Sequence, residues 1–399
     1  MNKNLTTNQK NAVLKSMSKL VDQERSTILK ANKIDIETFA ENDKAMYDRL
    51  IVNETKIDGM VESLKQLEEQ EDPVGKEIFH FTHENGLKIT NKTAAFGTVM
   101  IIYESRPDVT IEAGGIAFKS GNKILLKGGK ESINSNLVIV NLWHLALEEN
   151  NISQDWVEYL NYNRQETQEF LKNPTQKVDL IVPRGGEKLI DFVKENATCP
   201  VIVSGRGNNF IYVHTEADLD KAIEIIINAK TAKISACNAL DKVLIDINLK
   251  NFDDFVAQII IKLKDENVAI FADEKIVKLD NDVAPIPNDS IWYEEFLDYK
   301  IVIASIDSEK EAIAKINKYS GGHSSGIITE NKVAANEFLE SVDSAAVYHN
   351  ASTRFTDGFQ VGLGGELAIS TDKLHHRGPM GMQHLVTNKW YILGDGQIR

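Results

Sequence analysis

Cys237 is the residue of this chain whose side chain is best suited to covalent chemistry, and it lies in the stretch KISACNALDKVLI, residues 233–245. The chain has 399 residues and two cysteines, the other being Cys199. A thiolate is a strong nucleophile when its surroundings favour ionisation or when it meets a good electrophile. A small buried cysteine that only fills space is the competing interpretation. Residue type alone leaves both open.

Three glycine-containing turns each follow an apolar stretch and could bind a phosphate group. They are LLKGGKES (125–132), VPRGGEKL (182–189) and VSGRGNN (203–209). Backbone N–H groups at the carboxyl ends of parallel strands often bind phosphate, although glycine pairs also simply end strands. Three such turns in succession favour a nucleotide site. No GxGxxG opens a strand–helix unit, so a standard dinucleotide fingerprint is not predicted.

Two histidine-containing segments are further candidates for an active site. INKYSGGHSSGIITEN (316–331) joins a helix to a strand, and a solvent-facing turn is the alternative for it. Residues 348–385 form a long irregular segment that is too apolar for disorder, which predicts a wall of the active site. The adjacent His375 and His376 lack a third ligand at zinc spacing, so no metal is predicted. A cysteine hydrolase would need a base within reach of Cys237. The candidates are His323, His349, His375 and His376, and spacing along the sequence does not place them in space.

Composition narrows the classes of partner. With 45 Lys and Arg against 59 Asp and Glu, the net charge of −14 disfavours nucleic acid and anionic membrane surfaces as partners. Two cysteines and the absence of a basic-then-apolar leader predict a reducing, cytoplasmic location. No apolar stretch approaches the roughly 20 residues of a membrane span. A small-molecule partner is therefore expected.

The periodicity of the chain indicates which elements position these residues. Residues 77–93 alternate apolar and polar on both sides of Asn85-Gly86, which predicts a β-ribbon with a two-residue turn. An isolated ribbon is marginal in water, so it is expected to pair with another subunit, with the tail 385–399 completing its sheet across that interface. From residue 97, and again after 233, apolar strands alternate with helices. The fold class is therefore α/β, with two doubly wound parallel-sheet domains.

Seven blocks carry a resemblance to a known family. They are IIYESRPDVT (101–110), SGNKILLKGGKES (120–132), VDLIVPRGG (178–186), NAKTAKISACNALDKVLI (228–245), SGGHSSGIITEN (320–331), VDSAAVYHNASTRFTDGF (342–359) and HHRGPMG (375–381). The chain resembles the gamma-glutamyl phosphate reductases, a divergent branch of the aldehyde dehydrogenase superfamily, from about residue 5 to residue 399. The blocks ASTRFTDG and HHRGPMG resemble this branch and not the superfamily at large.

The resemblance implies an aldehyde dehydrogenase-like architecture. Its expected parts are an NADP-binding domain (1–75 and 96–228), a catalytic domain (229–365), an oligomerisation ribbon and tail (76–95 and 385–399), and a return segment along the active-site wall (366–384). The implied assembly is a homodimer or a homotetramer.

The activity implied by the resemblance is NADPH-dependent reduction of L-glutamyl 5-phosphate to L-glutamate 5-semialdehyde, with release of phosphate. This is the second step of proline biosynthesis from glutamate, and a glutamate 5-kinase would supply the substrate. Cys237 would attack the acyl phosphate and form a thioester, which accepts hydride more readily than a carboxylate does.

The resemblance also assigns roles by position. Lys127 would meet the adenosine ribose of NADPH or its 2′-phosphate, Gly185 and Gly186 would face the pyrophosphate and the nicotinamide, and Glu295 would hold the nicotinamide ribose. Ordinary surface charges and strand-end glycines are the alternative for these four residues. Five polar residues are expected around the substrate's phosphate and α-carboxylate: Arg106, His323, Ser324, Arg354 and Thr356. An arginine guanidinium can bind either of these anions through two parallel hydrogen bonds.

Two positions depart from the patterns of the relatives. Asp108 stands where the family usually has an asparagine that donates to the oxyanion, so either Asp108 is protonated or Asn238 and backbone N–H groups serve instead. Val203 and Ser204 stand where oxidising aldehyde dehydrogenases carry a glutamate that activates water. The absence of that base disfavours an oxidative dehydrogenase, which is the second hypothesis. A catalytically silent binding protein is the third, and a cysteine hydrolase the fourth.

Overall fold

The structure is a computed structural model that describes residues 4–40 and 44–399. The chain divides into two compact units. Unit 1 comprises Met1–Ser204, Gly362–Ala368 and Met380–Arg399, and unit 2 comprises Gly205–Val361 and Ile369–Pro379. Each unit contains a parallel sheet of its own, as the α/β prediction requires. No helix in the described ranges is long and apolar enough to cross a membrane.

The α-helices are α1 (Thr7–Gln23), α2 (Arg25–Thr38), α3 (Lys44–Leu50), α4 (Glu54–Glu69), α5 (Val109–Lys119), α6 (Ile133–Glu149), α7 (Arg164–Lys172), α8 (Glu187–Asn196), α9 (Leu219–Thr231), α10 (Phe252–Asp265), α11 (Glu274–Val277), α12 (Glu309–Tyr319) and α13 (Lys332–Ser341). Short 3₁₀ turns cover Lys130–Ser132, Gln154–Trp156, Asp289–Tyr293, Thr353–Phe355 and Met382–His384.

The strands are β1 (Glu77–Thr82), β2 (Lys88–Ala95), β3 (Thr98–Tyr103), β4 (Lys123–Lys127), β5 (Val157–Tyr159), β6 (Leu180–Arg184), β7 (Asn209–Val213), β8 (Leu240–Asp246), β9 (Ala269–Ala272), β10 (Ala284–Pro285), β11 (Lys300–Ile306), β12 (Ser324–Ile328), β13 (Ala346–His349), β14 (Ala368–Ser370), β15 (Gly378–Met380) and β16 (Val386–Leu393). Strands β14 and β15 pair with each other.

The four-stranded sheet of unit 1 has the order β5-β4-β3-β6, and its strands are parallel. Its strands are short apolar runs because helices cover them, and Phe118 and Trp143 fill the core beside them. Since the strands are parallel, Tyr103, Lys127 and Arg184 end at one edge. This edge carries two of the three glycine turns.

The β-ribbon of unit 1 confirms the predicted hairpin but corrects its turn and its partner. The His83 N–H donates to Leu87 O (2.9 Å) and the Gly86 N–H donates to His83 O (2.8 Å). The loop is therefore three residues long, and Gly86 closes it at φ +87°, a conformation that favours glycine. Strand β16 pairs with β2 along its whole length, so the tail completes the sheet within the same chain.

Unit 2 is built on a seven-stranded parallel sheet with the order β10-β9-β11-β8-β7-β12-β13. Strand β8 is fully buried near its centre. The predicted boundary at residue 228 differs from the observed one: residues 205–228 belong to unit 2, because β7 hydrogen-bonds to β8 and β12. The predicted strand PVIVSG forms isolated bridges at Val201, which pairs with Ile181, and at Ser204, since the chain then turns into the GRGNN stretch.

Candidate active site

Cys237 lies in a tight turn between α9 and β8 of unit 2. The Ala236 N–H donates to Lys233 O (3.2 Å) and the Ala239 N–H donates to Ala236 O (2.9 Å), so the backbone on both sides of the cysteine is fixed. The Cys237 side chain is half-buried. Neither of the two cysteines, both of which the structure describes, forms a disulfide. The arrangement presents an ordered thiol outside the hydrophobic core, which disfavours the space-filling alternative.

Asn209 and Gly207 support the cysteine turn, Asn209 through hydrogen bonds and Gly207 through close packing. Asn209 is fully buried at the start of β7, and its Nδ2 donates to Cys237 O (2.8 Å) and Ala239 O (2.7 Å). Its Oδ1 accepts from the Ser324 N–H (3.1 Å). A Cβ on Gly207 would lie 2.6 Å from Cys237 Cα and closer still to the Cys237 carbonyl. The third glycine turn of the sequence therefore packs against the cysteine, whereas the sequence suggested a phosphate contact.

Gly207→Ala should move Cys237, the expected nucleophile, because the new methyl would collide with the Cys237 backbone, which cannot rotate away. We expect kcat to fall about 10²-fold, the size of effect that a misplacement of about 1 Å can have. The matched control is Gly326→Ala in β12, where the nearest atom would be at an ordinary 3.5 Å. Steady-state kinetics of the two purified variants check this prediction, and equal activities would contradict it.

Asn238 ties the cysteine turn to the segment 353–356. Its Nδ2 donates to Thr356 O (2.9 Å) and Arg354 O (3.3 Å), and Thr353 Oγ1 donates to Asn238 O (2.7 Å). Both hydrogens of the Asn238 amide are thus committed to backbone carbonyls. Asn238 therefore supports the turn, and its amide hydrogens are occupied in this structure; its expected part in oxyanion stabilisation stays a prediction.

Arg354 offers hydrogen-bond donors close to the thiol. Its Nε and Nη1 atoms are buried and have no hydrogen-bond partner among the residues that the structure describes. Burial lowers the pKa of the Arg354 guanidinium, while the charges of Cys237 and Asp357 act in the opposite direction. An arginine keeps its charge in proteins, so this group favours a thiolate at Cys237 and can bind an anion.

The other three predicted substrate residues of unit 2 form a buried hydrogen-bonded chain. His323 Nδ1 pairs with Ser324 Oγ (2.7 Å), Ser324 Oγ pairs with Thr356 Oγ1 (2.7 Å), and that oxygen pairs with Tyr348 Oη (2.7 Å). His323, Ser324 and Thr356 have no exposed surface. Burial lowers the pKa of His323 to about 4, so its imidazole is neutral at pH 7. These groups brace the segment that carries Arg354, and among the described residues His323 Nε2 is buried without a hydrogen-bond partner, as are the two Arg354 nitrogens.

Glu295, the predicted ribose-binding residue, lies half-buried in the stretch between Trp292 and Leu297 of unit 2. The backbone on both sides of it is held by side chains. Lys242 Nζ donates to Glu294 O (2.8 Å), and Asp241 Oδ2 accepts from the Phe296 N–H (3.1 Å). A carboxylate on a fixed backbone suits recognition of a hydroxyl pair.

In unit 1, Lys127 and the two glycine pairs lie at the carboxyl edge of the four-stranded sheet. Lys127 Nζ donates to Gly128 O (2.6 Å), and burial lowers the pKa of this lysine. A Cβ on Gly128 would collide with Asn136 Nδ2, so packing requires that glycine. The Gly186 N–H donates to Glu104 Oε2 (3.0 Å). The Gly186 amide is thus already engaged with a carboxylate.

Arg106 and Asp108, also in unit 1, form an ion pair with Arg106 Nη2 3.0 Å from Asp108 Oδ2. Asp108 begins α5, and its Oδ1 is buried without a hydrogen-bond partner within the described ranges. Burial and the neighbouring Asp108 charge raise the pKa of Glu112, one helical turn later, to about 7. Two carboxyl groups and an arginine therefore share this helix start.

Comparison with known proteins identifies the family of this chain. The family model described as "Aldehyde dehydrogenase family" matches residues 2–276 and 283–390.

The chain belongs to the aldehyde dehydrogenase family.

Curated relatives in this family are named gamma-glutamyl phosphate reductase, which confirms the resemblance inferred from the sequence. The Dictyoglomus thermophilum protein is 42% identical over 397 residues, covering 99% of this chain and 95% of the relative. The Thermotoga maritima protein is 42% identical over 400 residues, covering 100% and 95%. This aldehyde dehydrogenase family member therefore lies in the gamma-glutamyl phosphate reductase branch.

Solved structures of related proteins are also similar to this chain. The crystal structure of gamma-glutamyl phosphate reductase from Thermotoga maritima matches with a TM-score of 0.94 at 41% identity, covering 99% of this chain and 95% of that one. A glyceraldehyde-3-phosphate dehydrogenase from Methanocaldococcus jannaschii, complexed with NADP, matches with a TM-score of 0.68 at 17% identity, covering 98% and 91%. The second likeness concerns the fold alone, which is the aldehyde dehydrogenase fold predicted from the sequence.

Sequence reasoning missed three residues that position Cys237 in this aldehyde dehydrogenase family member. They are Gly207, Asn209 and Tyr348, which support the cysteine turn or the 353–356 segment. The first two stand in GRGNN, a stretch whose glycines and asparagines precede a buried strand. Two fully buried asparagines, Asn208 and Asn209, at that point are the signal, because a buried amide must find partners.

Proposed function

We propose that this chain reduces L-glutamyl 5-phosphate with NADPH and a proton, giving L-glutamate 5-semialdehyde, NADP⁺ and phosphate. The observation that carries the proposal is the ordered Cys237 turn beside Arg354, whose Nε and Nη1 have no hydrogen-bond partner among the described residues. The chain also matches gamma-glutamyl phosphate reductases along its whole length. The product would serve proline biosynthesis in the cytoplasm, and a glutamate 5-kinase would supply the substrate.

Cys237 is the proposed nucleophile. Its sulfur forms a bond to the acyl carbon, and the carbonyl electrons move to oxygen in a tetrahedral intermediate. Backbone N–H groups of the cysteine turn are the proposed donors to that oxyanion, since the Asn238 amide is committed elsewhere. The carbon–oxygen bond to phosphate then breaks, phosphate leaves with the electron pair, and a thioester remains on Cys237.

NADPH, when bound, would supply the hydride that takes the thioester carbon to the oxidation level of an aldehyde. The carbon–sulfur bond then breaks, and Cys237 regains its thiolate. Of the residues proposed to hold the cofactor, Lys127 offers an ammonium suited to a ribose or 2′-phosphate, and Glu295 offers a carboxylate suited to a ribose. Gly185 is proposed to face the cofactor as well, and Gly186 fits less well because Glu104 already accepts its N–H.

Substrate anions are assigned to arginine. Arg354 would bind the phosphate or the α-carboxylate, because two of its buried nitrogens have no hydrogen-bond acceptor among the described residues. Arg106 is proposed for the same task but already pairs with Asp108. His323, Ser324 and Thr356 would act through the segment they brace. Val203 and Ser204 provide no base that could activate water, which favours survival of the thioester until reduction.

Asp108→Asn should keep or raise turnover at neutral pH. The substitution removes a carboxylate that would repel a developing oxyanion and places an amide donor where Oδ1 has no partner among the described residues. We expect kcat between unchanged and about tenfold higher, because a single oxyanion donor is worth up to about 10²–10³ in rate. Steady-state kinetics at pH 7 measure this, and a collapse of activity would refute the repulsion argument.

The proposed reaction is tested in reverse. NADP⁺ reduction by glutamate 5-semialdehyde should require inorganic phosphate, because the thioester needs phosphate to leave the enzyme. Equal rates without phosphate would mean hydrolysis and would favour an oxidative aldehyde dehydrogenase. No activity under either condition would favour a silent homologue.

A homodimer or homotetramer is proposed as the assembly. The sheet of β1, β2 and β16 exposes large apolar side chains over about half of their surface, among them Ile78, Phe79, Trp390 and Ile392. Such a cluster on one small sheet suits contact with a second copy. Light scattering should give a mass of at least two chains, and a monomer would refute the proposal.

A further inference from the structure

We propose that Lys242 is a positioning residue that fixes the backbone under Glu295 and so sets the affinity for the nicotinamide cofactor. The inference rests on the proposed function, in which Glu295 holds the nicotinamide ribose. Lys242 lies in β8, five residues after Cys237, and its side chain is fully buried.

The backbone from Trp292 to Phe296 is held by side chains at nearly every residue. Asn208 Nδ2 donates to Trp292 O (2.6 Å), and Arg206 Nη1 donates to Tyr293 O (3.4 Å). Lys242 and Asp241 then hold Glu294 O and the Phe296 N–H. Of these contacts, the Lys242 bond is the one to the residue directly before Glu295. The segment has little secondary structure of its own to replace it.

This segment also contains strained backbone. Leu297 has φ +47°, in the left-handed region that a leucine rarely adopts. Such a conformation is unfavourable for a residue with a side chain and persists only where the surroundings enforce it. The contacts of Asp241 and Lys242 to the preceding residues supply that enforcement. Loss of one of them should let the segment relax and move Glu295.

Of the two buried lysines beside this segment, Lys242 contacts its backbone directly, whereas Lys230 pairs with Asp241. Lys230 pairs with Asp241 Oδ1 (3.1 Å), and both side chains are buried. Lys242 Nζ lies 4.0 Å from the centre of the Phe296 ring, against 5.8 Å for Lys230 Nζ. Lys242 is thus bonded to residue 294 and stacked on residue 296, on either side of Glu295.

Stability does not explain this buried lysine. Burial lowers the pKa of Lys242 to about 8, although Asp241, Glu294 and Glu295 act in the opposite direction and Lys230 adds to the lowering. A lowered lysine pKa means that the unfolded chain binds more protons above pH 8, so this group opposes folding at neutral pH and does so less as pH rises. An apolar side chain would avoid that cost. A positioning role accounts for the ammonium.

Lys242→Met tests the inference, with Lys119→Met as the matched control. Both remove a fully buried ammonium, but only Lys242 donates to Glu294 O, whereas Lys119 donates to Asn11 Oδ1 and Glu68 O in unit 1. We expect the Kd and KM for NADPH to rise about tenfold in Lys242→Met, with kcat changing less, and to stay within about threefold in Lys119→Met. Hydrogen exchange of residues 292–299 should speed up in the first variant only.

Equal NADPH affinities and equal exchange in the two variants would overturn the role of Lys242. If wild type itself does not bind NADPH, the proposed function fails, and the exchange experiment still decides whether Lys242 fixes the segment. Should Lys242→Met not fold, Lys242→Gln is the second variant, because a shorter neutral side chain occupies the same buried position without the ammonium. A rise in NADPH Kd with faster exchange supports the inference, and unchanged values for both contradict it.

Discussion

Cys237→Ala is expected to lower kcat for phosphate-dependent NADP⁺ reduction by about 10⁴-fold or more, because removal of a covalent nucleophile leaves only binding and electrostatic contributions. The half-buried side chain loses one sulfur, so the fold should tolerate the change. Stopped assays with a large excess of enzyme measure the residual rate. Circular dichroism and thermal melting establish that the variant is folded.

Cys199→Ala is the matched control for that experiment. Cys199 packs against a separate apolar cluster of unit 1, and burial raises the pKa of its thiol, which disfavours the reactive thiolate. We expect this variant to keep wild-type activity. Iodoacetamide should inactivate wild type and Cys199→Ala at the same rate. Substantial activity in Cys237→Ala, or loss of activity in Cys199→Ala, would assign the chemistry to the wrong cysteine.

Arg354→Met is expected to lower kcat/KM for the semialdehyde and for phosphate by about 10²–10³, the effect of removing one partner of a buried charge pair. The physical reason is that Nε and Nη1 are buried without a partner among the described residues, so a bound anion is their natural acceptor. Initial rates over a grid of both substrate concentrations separate the two dependences.

A second readout separates this role from simple loss of fold. The Arg354 charge lies within electrostatic range of Cys237, so its removal should also slow alkylation of Cys237 by iodoacetamide. Arg25→Met is the control, because Arg25 pairs with Asp22, Glu54 and Asp58 on the surface of unit 1. Normal kcat/KM in Arg354→Met would remove this arginine from the site.

Local patterns in the sequence predicted most of the fold. The alternation around Asn85-Gly86 gave the ribbon, and the apolar runs before and after residue 233 gave two parallel sheets, because burial on both faces leaves a direct mark on composition. The order of the strands in a sheet, and the strand with which each one pairs, have no comparable effect on composition. The tail strand β16 was expected to pair across a subunit interface, and it pairs with β2 of its own chain. Strand β7 was missed beside the GRGNN turn.

The residue types of the site could be predicted from the sequence, but the hydrogen-bond partners of those residues could not. Cys237 and Arg354 stand out by residue chemistry, and their surroundings in the structure suit the predicted roles. Asn238 has the residue type of an oxyanion donor, yet its amide is used by two carbonyls more than one hundred positions away in the chain. His323 likewise is fully buried in a hydrogen-bonded chain. Such pairings depend on tertiary structure, which spacing along the sequence does not reveal.

The most direct test of the thioester is a rapid-mixing experiment with NADP⁺ and glutamate 5-semialdehyde in the absence of phosphate. The account predicts a burst of NADPH of about one equivalent per Cys237 thiol, followed by arrest, because the acyl group stays on the cysteine. Addition of phosphate should then restart turnover at the steady-state rate. Continued turnover without phosphate, or a burst of equal size in Cys237→Ala, would contradict an acyl-phosphate reductase that works through Cys237.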